Sequence, residues 1–316
     1  METLRQPNFF IVGAPKCGTS SLYSHLGQHP DVFMSEVKEP NFFAVDLSFP
    51  VIRDRDGYLQ LFAAARDEKR IGEASTWHLF SPEAPTKIKE FCPDAKIIIM
   101  LRNPVDMIYS LHAQSVFSGH EDVLDFAAAL EAEADRKRGL RLPKFAIGVK
   151  GRFYRDVGLY SAQVQRYFDA FGRANVKVII FDDFKRDTAG IYRETCEFLG
   201  IDPNFQPVFE IVQAHASRRS IILRNFIWLL WSPPVQRLRK AVLPPSVQRL
   251  GKRLAQSLDR FNSKQERRPP LDPALRQQLQ EEFAPDVERL SQLLGRDLTS
   301  PWTQARSSAS SNSNAD

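Results

Sequence analysis

Residues 9–22 read FFIVGAPKCGTSSL, and this stretch predicts the fold of the chain around it. The apolar run Phe9–Val12 is typical of a buried strand. A turn with two glycines follows, and the hydroxyl residues Thr19–Ser21 then open a helix. A loop between a strand and a helix N-terminus binds anions, because its backbone N–H groups converge and the helix dipole adds a partial positive charge.

The loop has the spacing of a nucleotide-binding P-loop but not its chemistry. In that motif a Lys and then a Ser or Thr follow the second glycine, and they hold the β/γ-phosphates and magnesium. Here Thr19 follows Gly18, and the lysine of the loop, Lys16, precedes it. The pair Asp182-Asp183 after an apolar run resembles the magnesium-holding strand of a P-loop ATPase. A kinase or ATPase that uses Mg-ATP therefore stays an alternative, as does a glycine turn without a ligand.

Strands alternate with helices along the rest of the chain, which indicates an α/β fold. We predict a P-loop-like three-layer fold with a central parallel sheet flanked by helices, plus a C-terminal helical cap. The further strands are predicted over 31–34, 70–75, 96–101 and 176–181. The helices are predicted over 54–66, 82–91, 105–117, 121–138, 158–171, 191–199 and 273–294.

Composition and charge are those of a soluble globular protein, with 43% hydrophobic residues, 26% charged residues and a net charge of +5. We expect residues 1–303 to form a single domain that includes a basic cap segment at 211–270. Residues 304–316 are rich in Ser and Asn, and we expect a disordered tail there. The polar N-terminus, the lack of an apolar run of ~20 residues and the scattered cysteines predict a cytoplasmic protein.

Basic residues concentrate in the segment 218–253, which holds nine of them, and no Asp or Glu lies between Ile211 and Leu258. A positive surface of this kind attracts anions. Four interpretations stay open: a cap over a site, an acceptor-binding surface, a peripheral membrane contact and a solvated helical face. We expect no nucleic-acid partner.

The segment Lys38-Glu39-Pro40-Asn41-Phe42-Phe43 places a carboxylate between a lysine and an aromatic pair. Pro40 favours an extended backbone at Glu39. A carboxylate that an aromatic anchor holds in apolar surroundings is a candidate general base. The alternative is an ordinary surface Glu, since this residue is usually exposed.

Arg102 follows the predicted strand 96–101, at the edge where open α/β sheets bind ligands. Ser110 lies about two turns into the next helix. An arginine at a strand end and a helix hydroxyl can bind one phosphate together, with the arginine making a bidentate contact. The alternative is an arginine that caps the sheet through a salt bridge.

Together these stretches resemble one family, the sulfotransferases that use 3′-phosphoadenosine 5′-phosphosulfate (PAPS), and most closely the bacterial and Golgi glycan type. Residues 13–20 resemble the loop for the 5′-phosphosulfate, and 38–43 resemble the segment with the catalytic carboxylate. Residues 102–110 resemble the 3′-phosphate motif. Further landmarks are Gly158-Leu159-Tyr160, Phe198-Leu199-Gly200 and Arg296-Asp297-Leu298 with Trp302.

The resemblance implies roles for individual residues. Binding of the 5′-phosphosulfate is implied for Lys16, Cys17, Gly18, Thr19, Ser20 and Ser21. Binding of the 3′-phosphate is implied for Arg102 and Ser110, and Arg218 or Arg219 is expected to close over the same phosphates. Glu39 is implied as general base and Lys16 as the cation that stabilises the leaving phosphate. Contacts on the acceptor side are expected from Lys38, Glu73 and Ser75.

The implied reaction is direct transfer of a sulfuryl group to an acceptor hydroxyl or amine, without a metal. The acceptor is a carbohydrate, a lipid or a small metabolite, and neither its identity nor the oligomeric state is predicted. Glycan members often have Glu-Lys-Ser where this chain has Glu73-Ala74-Ser75, which argues against a heparan-like acceptor. Under this interpretation Asp182 and Asp183 are structural. A non-catalytic binder of anions or lipid headgroups remains a third hypothesis, besides the kinase.

Overall fold

The computed structural model of the protein describes residues 5–49, 52, 54–144, 147–209, 217–218, 263–264 and 269–303. The chain forms two compact units. The first combines residues 1–108, 154–210 and 271–316, and the second combines residues 109–153 and 211–270. The predicted boundaries of one domain and its cap stay a prediction, and the predicted tail lies outside the described residues.

Within the described residues, the first unit contains a five-stranded parallel sheet, which confirms the predicted α/β fold. Its strands are β1 (Phe9–Gly13), β2 (Val32–Met34), β3 (Arg70–Ala74), β4 (Lys96–Leu101) and β5 (Val176–Ile180). They lie in the order β2-β3-β1-β4-β5, and each neighbouring pair is parallel. The central strands β1 and β4 are almost entirely buried, as is typical of a parallel sheet covered on both faces.

The described helices follow in chain order. They are α1 (Thr19–Leu26), α2 (Arg55–Gln60), α3 (Ala84–Phe91), α4 (Pro104–Ser118), α5 (Phe126–Glu131), α6 (Glu133–Lys137), α7 (Tyr154–Gly158), α8 (Tyr160–Phe171), α9 (Phe181–Arg186), α10 (Thr188–Leu199), α11 (Pro273–Leu294) and α12 (Thr299–Thr303). Helices α5 and α6 belong to the second unit, and α4 begins in the first unit and ends in the second. No described helix is both long enough and apolar enough to cross a membrane.

Glycine in β3 allows this strand to pack closely against β1. Gly72 pairs with Phe9 of β1, and a Cβ atom at position 72 would lie 2.1 Å from the Phe9 ring. Any side chain at this position would collide with that ring, so the close packing of β1 against β3 requires glycine.

The start predicted for α3 is wrong by two residues, because the helix begins at Ala84 rather than at Pro82. The hydroxyl of Ser81 accepts hydrogen bonds from the backbone N–H groups of Glu83 (3.2 Å) and Ala84 (3.1 Å). The side chain therefore holds a turn ahead of the helix, as Ser often does.

Other predicted elements are shorter or interrupted. The helix predicted over 54–66 ends at Gln60, and turns follow it. The helix predicted over 121–138 is two helices that meet at Ala132. Strand β5 ends one residue earlier than predicted, and Phe181 begins α9, so Asp182 and Asp183 lie on a helix.

Helix α11 packs on α8, and α8 in turn contacts β4 and β5. Gly158 allows this contact, because a Cβ atom there would lie 2.7 Å from the ring of Phe283 on α11. The Asp286 carboxylate of α11 accepts a hydrogen bond from the Ser161 backbone N–H (3.1 Å). The family landmark at Gly158 thus has a packing role.

In the second unit, a buried ion pair joins Arg136 of α6 to Glu121. Two guanidinium nitrogens donate to the two carboxylate oxygens at 2.8 and 2.7 Å, and both side chains are fully buried. Ser217–Arg218 and Ser263–Lys264 form two short antiparallel strands, β6 and β7, in the same unit.

Candidate active site

Three segments that the sequence singles out lie at the carboxyl edge of the sheet. The loop 13–18 follows β1, Glu73 lies near the end of β3, and Arg102 directly follows β4. The sheet order places β3 on one side of β1 and β4 on the other, so the topology switches direction at β1. Open α/β sheets bind ligands outside the carboxyl ends of the strands at such a point.

The loop after β1 requires glycine at both ends. Gly18 has a φ of +90°, and a Cβ atom there would lie 2.8 Å from the Phe181 ring. A Cβ atom at Gly13 would lie 2.5 Å from Cβ of Leu79. Lys16 also adopts a left-handed backbone, with a φ of 62°. Residues in such conformations cluster at functional sites, where the surrounding structure maintains the strain.

Helix α1 begins directly after this loop, with Gly18 as its N-cap and Thr19 buried in its first turn. Gly18, as the N-cap, has no side chain that could cap the first backbone N–H groups of the helix. Ser20 and Ser21, in the first turn, are only partly buried. The start of the helix therefore adds N–H donors and hydroxyl residues next to the loop, which is the arrangement predicted for an anion site.

Phe181 links the loop to Arg102. The guanidinium carbon of Arg102 lies 5.2 Å from the centre of the Phe181 ring, and the same ring touches Gly18. The sequence contains no signal for this role, because Phe181 follows β5, two strands away from the loop. The aromatic ring holds the guanidinium on the loop side of the sheet edge.

Arg102 is only loosely paired with protein. Among the described residues, its nearest carboxylate oxygen lies on Asp106, 3.8 Å away, whereas Arg276 contacts the other oxygen of Asp106 at 2.7 Å. The shorter ion pair of Asp106 is therefore the one with Arg276. The alternative in which Arg102 merely caps the sheet through a salt bridge is disfavoured, since a 3.8 Å contact of partly exposed groups stabilises little.

The neighbouring Asn103 anchors the segment. Its side-chain oxygen accepts from the Val105 backbone N–H (3.0 Å), and its side-chain nitrogen donates to the carbonyl of Trp302 (2.8 Å). Trp302, in the landmark segment 296–302, is therefore hydrogen-bonded to the residue that follows Arg102.

Ser110 lies on α4 in the second unit. Its side chain is 2% exposed, and its hydroxyl has no hydrogen-bond partner among the described residues. A buried hydroxyl without a partner is uncommon in proteins. It is consistent with a group that a ligand satisfies.

Cys17 is an inert thiol. Its side chain is fully buried and donates a 3.4 Å hydrogen bond to the carbonyl of Pro15. Burial raises the pKa of the Cys17 thiol to about 12, and the charge of Arg102 and the hydroxyl of Tyr160 offset only part of this effect. Cys17 is therefore protonated at neutral pH and has no nucleophilic role. Its contribution to a bound anion would come from its backbone N–H.

Glu39 has a left-handed backbone, with a φ of 64°, and not the extended one that Pro40 favours. Its backbone N–H donates to the Ala74 carbonyl (2.9 Å), which attaches it to the end of β3. The Glu39 side chain is 36% exposed, and Lys38 Nζ lies 2.9 Å from its Oε1. The Glu39 carboxylate is thus partly exposed, whereas its backbone is held at the edge of the sheet. The alternative of an ordinary surface Glu therefore fits the side chain but not the backbone.

Glu73 and Ser75 are fully buried. The Ser75 hydroxyl accepts from the Asn41 backbone N–H (3.0 Å). Glu73 accepts from the hydroxyl of Tyr58 (3.1 Å), and its other oxygen lies 3.1 Å from Nδ1 of His78. The predicted contact of these two side chains with an acceptor would require this enclosed segment to open. Tyr58 and His78 carry no motif and were not predicted.

A model of the sulfotransferase domain family matches residues 6–220. The chain belongs to this family. Human carbohydrate sulfotransferase 15 is 26% identical, over 62% of this chain and 44% of its own length. The human bifunctional heparan sulfate N-deacetylase/N-sulfotransferase 3 is 27% identical, over 64% of this chain and 23% of its own length. The chain therefore spans less than half the length of these curated relatives.

A solved sulfotransferase structure resembles this chain over almost its whole length. The crystal structure of a sulfotransferase from Alicyclobacillus acidocaldarius is 35% identical, covers 95% of this chain and 100% of its own, and has a TM-score of 0.70. The family and the fold implied by the motifs are thereby confirmed.

The acidic pair of this sulfotransferase domain does not match a magnesium-holding strand. Asp183 lies on α9 and contacts Arg296 and Arg186, the latter at 2.7 Å. The hydrogen bond from Arg296 lowers the pKa of Asp183. Asp183 therefore anchors Arg296, in the landmark segment 296–302, to α9. In the part of the chain that the structure describes, no group of three or more His, Cys, Asp or Glu is arranged to hold a metal ion.

The predicted roles of Arg218 and Arg219 stay predictions. The backbone of Arg218 forms part of β6, but its side chain is not described, and Arg219 lies outside the described residues. The other interpretations of the basic segment 218–253, membrane contact among them, concern residues almost entirely outside the described ranges.

Proposed function

We propose that the protein transfers a sulfuryl group from PAPS to a hydroxyl or amine of an acceptor. One observation carries this proposal: the glycine loop before α1, the loosely paired Arg102 and the Glu39 carboxylate all lie at the same carboxyl edge of the sheet. This edge offers two cationic or N–H-rich positions for phosphate groups and one proton acceptor.

The residues fit such a donor. Thr19, Ser20 and Ser21, with the backbone N–H groups of the loop, would hold the 5′-phosphate. Arg102 would bind the 3′-phosphate, and its weak pairing supports this assignment. The role of Ser110, which lies in the second unit, stays a prediction from the motif.

When bound, the donor supplies the sulfuryl group and a good leaving group. Glu39 accepts the proton of the acceptor as the new S–O or S–N bond forms, and the bond between sulfur and the bridging phosphate oxygen breaks. Lys16 and the loop N–H groups stabilise the negative charge that develops on the departing phosphate. Catalysis thus comes from positioning and from charge stabilisation, as in phosphoryl transfer.

We propose a carbohydrate as the first acceptor class to test, with both hydroxyl and amine groups, since the two curated relatives are named as a carbohydrate sulfotransferase and a heparan sulfate N-sulfotransferase. Lys38, beside Glu39, is the side chain best placed to contact an acidic acceptor. Ala74, which stands where glycan members often have a lysine, carries no charge and is fully buried. This position therefore supplies no positive charge to an acceptor. A cytoplasmic location and a reaction without metal stay predictions from the sequence.

Glu39→Gln tests the proposal. The variant should bind adenosine 3′,5′-bisphosphate as the wild type does, and turnover of PAPS with a panel of sugar, lipid and phenolic acceptors should fall by about 10²–10⁴-fold, because the amide accepts no proton. Binding is measured as a rise in melting temperature, which mass action links to affinity. A shift with Mg-ATP alone, and none with the bisphosphate, would reject the sulfotransferase in favour of a kinase. Full turnover in Glu39→Gln would remove the role of Glu39.

A further inference from the structure

The segment that carries Glu39 is fastened at every second residue. The backbone N–H groups of Glu39, Asn41 and Phe43 each donate to the segment 74–78, which begins at the last residue of β3. The acceptors are, in order, the Ala74 carbonyl (2.9 Å), the Ser75 hydroxyl (3.0 Å) and Nε2 of His78 (3.4 Å). Two of the three acceptors are side chains, so residue identity in the segment 74–78 matters for the position of Glu39.

The His78 ring lies between a backbone N–H group and a carboxylate. Its Nε2 accepts from the Phe43 backbone N–H (3.4 Å), and its Nδ1 lies 3.1 Å from a carboxylate oxygen of Glu73. The hydroxyl of Tyr58 donates to the other oxygen of Glu73 (3.1 Å). Tyr167 donates to the His78 carbonyl (2.9 Å), and both His78 and Glu73 are fully buried.

The fastened segment is strained. Glu39 and Asn41 have φ values of 64° and 51°, in the left-handed region that side chains other than glycine rarely adopt. Such residues keep this conformation only where the surrounding structure holds them there. The Asn41 side chain adds one more hold by donating to the Glu39 carbonyl (3.0 Å). Loss of the bond at Phe43 would therefore let the segment relax and move the Glu39 carboxylate.

We propose that His78, oriented by Glu73, is a positioning residue that fixes Glu39 for proton transfer. This inference rests on the proposed function of Glu39 as general base. It gives Glu73 a role beneath the site in place of the predicted contact with the acceptor. Proton transfer requires the acceptor atom within hydrogen-bond reach of the reacting group, so a small displacement of the carboxylate slows the reaction.

Two substitutions of His78 separate its hydrogen bond from its bulk. His78→Phe keeps a ring against Phe43 but provides no acceptor. Its turnover should fall by about 10- to 100-fold, the effect of a displacement near 1 Å, while the KM for PAPS stays unchanged. His78→Gln places an amide oxygen near the position of Nε2 and should restore most of the turnover.

His29→Phe is the matched control. His29 is also buried, and its ring contacts two backbone groups at 3.0 Å, the carbonyl of Asp202 and the N–H of Asp31. It lies before β2, at the opposite edge of the sheet. This variant should lose melting temperature without losing turnover per folded molecule. Wild-type turnover in His78→Phe, an equal loss in His78→Gln, or an equal loss in His29→Phe would each overturn the proposal.

Amide hydrogen exchange, measured by NMR without donor or acceptor, tests the positioning independently of the proposed function. His78→Phe should speed exchange at Glu39, Asn41 and Phe43, and His78→Gln should not. Glu73→Met should speed exchange at Phe43 as well, because it removes the carboxylate that faces Nδ1 of the imidazole. Unchanged exchange in His78→Phe would refute the positioning role even if no sulfation were detected, and unchanged exchange in Glu73→Met would refute the role of Glu73.

Discussion

Arg102→Ala should abolish recognition of the 3′-phosphate while it leaves the loop after β1 intact. Arg102 contacts the Phe181 ring and lies 3.8 Å from Asp106, and Arg276 already holds that carboxylate at 2.7 Å. Truncation therefore leaves no buried charge without a partner. The fold should keep its stability, and the loss should appear in ligand binding.

The expected magnitude follows from the contacts that Arg102 can make. Its guanidinium is 22% exposed and loosely paired, so binding a phosphate breaks no strong protein contact. A hydrogen bond to a charged group contributes about 1.5–3 kcal/mol, so the loss of Arg102 should cost about 2–3 kcal/mol, or roughly 30- to 150-fold in Kd. Arg102→Lys should recover only part of this loss, because an ammonium group cannot make the bidentate contact.

Calorimetric titration of two ligands measures this effect. Adenosine 3′,5′-bisphosphate should bind the wild type more tightly than adenosine 5′-phosphate does, and Arg102→Ala should bind both with similar affinity. Arg173→Ala is the matched control: Arg173 also stacks on a phenylalanine, Phe168, at 4.5 Å and donates to the Leu293 carbonyl. This control should keep the preference for the bisphosphate.

The result that refutes the reasoning is an unchanged ratio of the two affinities in Arg102→Ala. Such a result would mean that another group reads the 3′-phosphate. An equal loss for both ligands would place Arg102 at the 5′-phosphate and would also contradict the assignment.

Two further predictions concern the loop and the landmark segment 296–302. Gly18→Ala should lower the free energy of unfolding by about 1–3 kcal/mol and abolish bisphosphate binding, because the added methyl group would collide with the Phe181 ring and the backbone at this position has a positive φ. Gly139→Ala is the control, since Gly139 has a φ of +80° and open space around it. In chemical denaturation this control should show the effect of the backbone conformation alone. Asp183 has a lowered pKa in the folded state through its hydrogen bond from Arg296, so the stability it contributes is present above the unfolded pKa of about 4 and is lost as the pH falls through the folded pKa. Asp183→Asn should therefore be less stable than the wild type at pH 7 and converge with it in acid; parallel stability curves would contradict this.

Local patterns in the sequence predicted the elements that positioned the site. The run Phe9–Val12, the glycine loop and the hydroxyl residues at 19–21 gave correct positions for β1, the loop and α1. The strand 96–101 matched β4 residue for residue, and the helix 273–294 matched α11. These elements are predictable because apolar periodicity, glycine and a capping residue act over short distances along the chain.

Predictions failed where contacts distant in sequence decided the local structure. Pro40 alone favours an extended Glu39, but three hydrogen bonds to the segment 74–78 hold it in a left-handed conformation. Glu73 has the sequence context of an acceptor contact, yet Tyr58 and His78 enclose it. No local pattern reports such enclosure, because the partners come from other elements.

By itself, the amino-acid sequence determined the family, the parallel α/β architecture and the residues that line the edge of the sheet, because these depend on short motifs and on periodicity. Only the tertiary structure decided how firmly each of those residues is held. It left Arg102 loosely paired by joining Asp106 to Arg276, placed Phe181 between that arginine and the loop, and joined the backbone of Phe43 to His78. Each of these effects arises from packing between residues far apart along the chain, and packing is settled only when the whole sheet and its helices have assembled.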